Sequence, residues 1–241
     1  MLMHDANFAH LPTSHKEQFT MQTILFDLDG TLIDHFTTIH RSVAHAQRQL
    51  GLPESDYATV RATVGGSAPV TLERLLGKQH VDAALPIFRE HFEQIMFEDV
   101  LELPGAAWIL EALKGRGYKL AVFTNKFGDD ARATLKHLDM DRWLDAIVGT
   151  GDTPYRKPEA QFTAHMLEVM KTTSAETILI GDSPFDFAAA EVGDLKCYLV
   201  ATGSHSTEEL TQSTAADGVY TDLYALGSAV FQLERETTTT I

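Results

Sequence analysis

The stretch Thr23-Ile24-Leu25-Phe26-Asp27-Leu28-Asp29-Gly30-Thr31-Leu32 decides the fold. An apolar run stops and at once presents two carboxylates, one residue apart, followed by glycine. A run that is apolar on successive residues is what a strand covered on both faces requires. Side chains two apart on an extended backbone point the same way, so Asp27 and Asp29 are expected to address one small volume. Two like charges that close are costly unless a cation or a shared proton relieves them. The pair therefore asks for a metal, a division of labour between nucleophile and acid, or both. The competing interpretation is a strand-end turn whose aspartates only bond nearby amides.

Working outward, short apolar runs recur at 119–124, 146–148, 177–180, 196–200 and 218–220. Amphipathic stretches at 106–114, 129–138 and 161–170 separate them. This alternation predicts an α/β fold with a doubly wound, parallel-sheet (Rossmann-like) core. Ligands of such sheets bind beyond the carboxyl ends of the strands. From 34 to 101 the pattern changes to helical stretches at 37–50, 57–64, 69–76 and 81–97. Ile39, Val43, Ala46 and Leu50 share one helical face, as do Leu85, Phe88, Phe92 and Ile95. A helical insertion of about 65 residues is far longer than an ordinary connection. Leaving directly after the carboxylate pair, it can act as a lid over the active face. The expected organisation is a core of residues 21–34 and 102–235 with an inserted α-helical cap domain, residues 35–101. Residues 1–20 read as a disordered N-terminal extension, and Thr237-Thr238-Thr239-Thr240 as a frayed end.

Composition narrows the function classes. The chain has 241 residues and a formal charge of −15, which argues against nucleic acid or an anionic membrane as partner. An anionic substrate is still compatible, because a local cation reverses the field within one pocket. No segment reaches the ~18 consecutive apolar residues of a spanning helix. The single cysteine, Cys197, lies in the apolar run Cys197-Tyr198-Leu199-Val200. It reads as a buried, inert thiol, and a reducing, cytoplasmic location fits.

Later strand ends add polar groups to the same face. Thr124-Asn125-Lys126 follow one strand, and Gly181-Asp182-Ser183-Pro184-Phe185-Asp186 another. Lys157 precedes Pro158, which is expected to open the helix running to residue 170. Taken singly, each group has an ordinary explanation as a cap, a turn or a solvated charge. Together, four strand ends supply Asp-x-Asp, Thr-Asn, Lys and Asp…Asp, and an oxygen-rich carboxylate cluster suits Mg²⁺.

These motifs, in this order, resemble those of the haloacid-dehalogenase-like superfamily of aspartate-nucleophile hydrolases. The resemblance runs from about Gln22 to Leu233, and the helical insertion resembles that superfamily's cap. Leu103-Pro104-Gly105 and Gly117-Tyr118-Lys119-Leu120 look most like the phosphoglycolate-phosphatase branch. The resemblance implies a Mg²⁺-dependent phosphatase of small phosphorylated metabolites, working as a monomer or homodimer through an aspartyl-phosphate intermediate. It implies Asp27 as nucleophile, Asp29 as acid and base, and Thr124, Asn125 and Lys157 on the phosphoryl group. Asp27, the backbone carbonyl of Asp29, Asp182 and Asp186 are implied as the metal site. Dehalogenases, which attack carbon, lack an acid at the Asp29 position, so its presence favours phosphate esters. A phosphomutase of the β-phosphoglucomutase type and a non-catalytic phospho-ligand-binding protein are the alternatives. The chain departs from the branch at His35, where serine is frequent, and at Ala160, where proline is frequent. His35 is expected either to face the substrate or to stand in solvent at a helix start. Gly66, in Gly65-Gly66-Ser67, resembles the cap loop that reaches the active site.

Overall fold

The computed structural model describes residues 22–235. The terminal expectations for 1–20 and 237–240 lie outside the described residues.

Six strands form one parallel sheet: β1 (Thr23–Phe26), β4 (Lys119–Phe127), β5 (Ala146–Thr150), β6 (Thr177–Gly181), β7 (Lys196–Val200) and β8 (Gly218–Tyr220). Their order is β5-β4-β1-β6-β7-β8, with β1 central. Phe26 lies level with Val122 of β4 and Ile180 of β6. The residues that follow these three therefore emerge at one sheet edge. Successive β1 residues serve opposite faces. Ile24 and Phe26 pack with α5 (Ala106–Gly115), α6 (Gly128–His137) and α10 (Leu223–Phe231). Leu25 packs on the other face with α7 (Ala160–Met170), α8 (Pro184–Val192) and α9 (Thr207–Ser213). Two apolar faces explain why the run does not alternate with polar residues.

The insertion holds α1 (Phe36–Gln49), α2 (Tyr57–Thr63), α3 (Ala68–Leu76) and α4 (Val81–Ile95). It has its own apolar cluster, including Ile39, Val43, Val60, Leu72, Phe88 and Phe92. Its two connections are joined by a short ribbon that sequence patterning did not reveal. β2 (Ile33–Asp34) pairs antiparallel with β3 (Leu101–Glu102). Two residues are too few to display a period of two. Helices α9 and α10 were likewise not anticipated. Ser206 and Glu209 close a capping box at α9, and Asp222 accepts from the Ala225 amide at α10.

No helix among the described residues is long and apolar enough to cross a membrane. Cys197 on β7 is 2 % exposed, and burial pushes its thiol well above the ordinary range. Folded protein at pH 8 is therefore expected to stay unmodified by a thiol-reactive disulfide reagent. Denatured protein should release one equivalent of chromophore per chain. Rapid stoichiometric labelling of the folded protein would contradict this burial.

Candidate active site

The chain turns sharply after β1. The Asp27 amide still donates to Ile180 O (2.8 Å), and the Leu28 carbonyl then accepts from Thr31, Leu32 and Ile33 (3.2, 2.9 and 3.1 Å). Gly30 makes this turn possible. Its φ is +95°, and a Cβ there would lie 2.6 Å from an Asp182 carboxylate oxygen. The backbone turns between the two acids, yet they stay close enough for the Asp29 charge to act on Asp27. Each has its own lysine: Lys157 Nζ lies 2.6 Å from Asp27 Oδ1, and Lys126 Nζ lies 3.2 Å from both Asp29 oxygens.

Lys157 is the centre of the site. It is 2 % exposed, and its ammonium also donates to Asp186 Oδ1 (2.6 Å) and Phe123 O (2.8 Å). Burial opposes its charge, but Asp186 and Asp27 outweigh burial and hold its pKa above the ordinary range. Pro158 does not open the following helix. It lies in a turn after a cis peptide bond, and Glu159 is the N-cap of α7. Asp186 is itself anchored. Its Oδ2 accepts from the Asp182 amide (3.2 Å), the Ser183 amide (3.1 Å) and the Ser183 hydroxyl (2.6 Å), closing a capping box at α8. The sequence left open which of Asp182 and Asp186 would cap. The N-cap is Ser183, with Asp186 as its box partner.

Asp27, Asp182 and Asp186 offer carboxylate oxygens within 4.8 Å of one another and could together hold a metal ion. Their charge supports this. Three buried carboxylates face one buried ammonium, an excess of two negative charges. Burial pushes Asp27 up to about 6, with Lys157 pulling against it and Asp186 adding to it. Burial and the Asp186 and Asp27 charges raise Asp182 as well. A divalent cation would relieve this excess. Asp29's carboxylate is outside the cluster.

Thr124, Asn125 and Lys126 lie within β4, which continues to Phe127 instead of ending at residue 124. Its register against β5 shifts between Phe123 and Phe127, and such an irregularity re-aims side chains. Asn125 bonds three ways: Oδ1 accepts from the Lys157 amide (2.8 Å), and Nδ2 donates to Lys157 O (3.1 Å) and Gly65 O (3.3 Å). The Thr124 hydroxyl, on a residue 2 % exposed, accepts from the Lys126 amide at 3.2 Å.

The insertion closes over this edge. A cavity between it and the core is lined by Asp29, Asn125 and Lys126 below and by Gly66, Leu72 and Phe92 among others above. His35 is neither in solvent nor among the cavity-lining residues. It is fully buried, bonded through Nε2 to Met96 O (2.7 Å) and packed on Phe92. Since a carbonyl only accepts, Nε2 carries the proton. Burial, reinforced by Lys126, holds the ring neutral with a pKa near 3. Its 3.7 Å approach to Asp29 is thus not an ion pair.

Sequence reasoning missed a fifth strand end. The Ser204 amide donates to Asp182 Oδ2 (3.3 Å), and Arg61 of α2 donates to Gly203 O (2.9 Å) and Thr202 O (3.3 Å). The signal available was Gly203 after the β7 run. It also gave Lys126 no role, although that residue was quoted in its motif.

The profile of the haloacid dehalogenase-like hydrolase family matches residues 24–200. The chain is 31 % identical to a phosphoglycolate phosphatase of Aquifex aeolicus over 183 residues, covering 76 % of this chain and 86 % of the relative. It is 33 % identical to a 5′-nucleotidase of Pseudomonas aeruginosa over 189 residues, covering 78 % and 86 %. In fold it is similar to a haloacid dehalogenase-like family hydrolase of Streptococcus pneumoniae. The TM-score is 0.78 at 24 % identity, covering 86 % of this chain and 96 % of that one. With its strand order, its helical insertion and its buried aspartate cluster in place, the chain belongs to the haloacid dehalogenase-like hydrolase family.

Proposed function

We propose that the protein is a Mg²⁺-dependent phosphatase of small phosphorylated metabolites, of the phosphoglycolate-phosphatase-like branch, working through an aspartyl-phosphate on Asp27. The observation that carries this reading is the buried cluster of Asp27, Asp182, Asp186 and Lys157, with its excess of two negative charges. The named phosphatases among the relatives support it. The lone buried cysteine fits a reducing compartment such as the cytoplasm.

The residues divide the work as follows. Lys157 fixes the Asp27 carboxylate, which attacks phosphorus as the ester P–O bond breaks. Asp29 gives a proton to the departing oxygen and then takes one from the water that attacks the phosphoenzyme. This releases phosphate and restores Asp27. The Thr124 hydroxyl bonds the transferring group. Asn125 acts by positioning, since both ends of its amide are already engaged with Lys157 and Gly65. Asp27, Asp182 and the backbone carbonyl of Asp29 would hold the cation. Asp186 supports them, because both its oxygens already hold Lys157 and the loop before α8. When bound, Mg²⁺ supplies charge that lessens repulsion between carboxylate and phosphate. The cap, α1 to α4, keeps bulk water from the reacting groups.

Phosphate release from a metabolite panel, measured with and without chelator, tests the reading. Release should require Mg²⁺ and vanish in Asp27→Asn. Wild-type turnover by that variant would sink the proposal, and isomerised hexose phosphate with little free phosphate would favour the mutase.

Asp29→Asn separates the two half-reactions. With p-nitrophenyl phosphate, whose leaving group needs little protonation, it should give a burst of at most one nitrophenol per chain. Steady turnover should then fall by roughly 10²–10⁴-fold. Intact-mass measurement should find one phosphoryl group on the protein. Steady turnover at the wild-type rate would remove the acid/base role.

Metal-free protein offers a pH test. Asp27's folded pKa of about 6 lies above its unfolded value near 3.8, so the native state binds the extra proton between those pH values. Stability from this group is present at low pH and is lost as pH rises through 6. In chelator, the stability of wild type relative to Asp27→Asn, which has no carboxyl to titrate there, should therefore fall by up to about 3 kcal/mol between pH 4 and pH 7. Denaturant unfolding of both proteins at the two pH values measures the change, and a relative stability of wild type that rises over this interval would refute the sign.

A further inference from the structure

The cavity beside Asp29 also has a chemistry of its own. Ile39, Leu72, Phe88, Phe92 and Phe127 give it apolar walls. Three ionisable side chains line it: Asp29, Lys126 and Asp130. Lys126 is committed, with both Asp29 oxygens at 3.2 Å and the Phe92 ring 4.4 Å below its ammonium. Asp130, in the first turn of α6, is only 6 % exposed. Among the described residues, nothing donates a hydrogen bond to its carboxylate. The one cation paired with it, Arg89, stands 3.9 Å away, outside hydrogen-bond reach. Arg89 is itself bonded to Glu93 (2.8 Å) and stacked on Phe127 (3.7 Å). Burial pushes Asp130 upward against the pull of Lys126 and Arg89, as expected of an acceptor short of donors.

Asp27, Lys157, Asp182 and Asp186 do not line this space, whereas Asp29, the proposed proton donor to the leaving oxygen, does. The cavity therefore lies on the leaving-group side. Its volume is about 60 Å³.

Resting on the phosphatase reading above, we propose that Asp130 selects the leaving group. The alcohol released is small, carries no negative charge, and presents a hydroxyl or ammonium donor to Asp130 while its carbons lie against the phenylalanines. A leaving group bearing a carboxylate would meet the Asp130 carboxylate between apolar walls, with the Lys126 ammonium held against Asp29 and Phe92. That arrangement costs both desolvation and repulsion.

Phosphoethanolamine and 2-phosphoglycolate test this, because their leaving groups are nearly equal in size and opposite in charge. For wild type with Mg²⁺, kcat/KM for phosphoethanolamine should exceed that for 2-phosphoglycolate on the order of tenfold or more, with propyl phosphate between them. Asp130→Asn should bring the ratio towards one by losing on the amine and gaining on the carboxylate. A wild-type ratio of one or below overturns the proposal, whether or not the variant folds. An unchanged ratio in soluble, folded Asp130→Asn also overturns it. Hydrolysis of p-nitrophenyl phosphate, checked against Asp27→Asn, distinguishes the two failures. If Asp27-dependent release is absent, the phosphatase reading fails and takes the selectivity with it. If it is present and phosphoglycolate is preferred, only the selectivity fails.

Discussion

A buried lysine must find its counter-charges inside the protein, and the ammonium of Lys157 finds three acceptors on or just after three different strands. Asp27 follows β1, Phe123 belongs to β4, and Asp186 begins α8 after β6. The bonds hold only while β4, β1 and β6 stay in register, which their apolar residues enforce from both faces. Breaking a buried pair by removing one partner typically costs about 3–5 kcal/mol, because the remaining charge is left unpaired. The sheet therefore sets the geometry of the site, and the site in turn penalises any slip of the sheet. Asn125 extends the linkage by holding the Lys157 backbone on one side and the Gly65 carbonyl of the insertion on the other.

That last bond shows how the insertion is tied to the chemistry. Its loop at 65–66 reaches Asn125, Arg61 reaches the carbonyls at 202 and 203, and Ser204 donates to Val64 O. All these contacts are polar, and most involve exposed or half-buried partners. The insertion meanwhile keeps a separate apolar cluster. The insertion thus meets the sheet edge through polar and aromatic contacts over a cavity and does not share the sheet's two apolar cores.

How much of this could be read from sequence follows from the range of each interaction. Strand positions were legible because burial on both faces leaves continuous apolar runs, as at 23–26, 177–180 and 196–200. Convergence of the strand-end residues follows from a parallel sheet. The errors came where a tertiary contact overrides local geometry. Asp27 and Asp29 were legible as a pair, but the turn at Gly30, packed against Asp182, gives each its own lysine, which the extended-chain picture did not contain. Thr124, Asn125 and Lys126 read as a loop because their polarity resembles a turn. They remain in the strand because the pairing with β5 resumes, in a shifted register, at Phe127. His35 read as facing either the substrate or solvent at a helix start; only the packing around α4 shows that Met96 and Phe92 cover it.

The electrostatics leave one consequence for ligand binding. The chain carries a formal charge of −15, and the cluster around Lys157 is itself short of positive charge. Neither the protein's overall field nor the empty balance of that cluster attracts a phosphate dianion. Under the proposed function, cation and phosphate must each make the other's binding more favourable, since each cancels charge that opposes its partner. Linkage makes this coupling reciprocal. The same logic separates the two halves of the site. On the proposed phosphoryl side, negative side chains would be tolerated because a divalent cation completes them. On the proposed leaving-group side, Lys126 is held on Asp29, and the cation nearest Asp130, Arg89 at 3.9 Å, is bonded to Glu93. Under the proposed function and selectivity, discrimination between substrates is thereby concentrated in the part of the molecule that the cation does not reach.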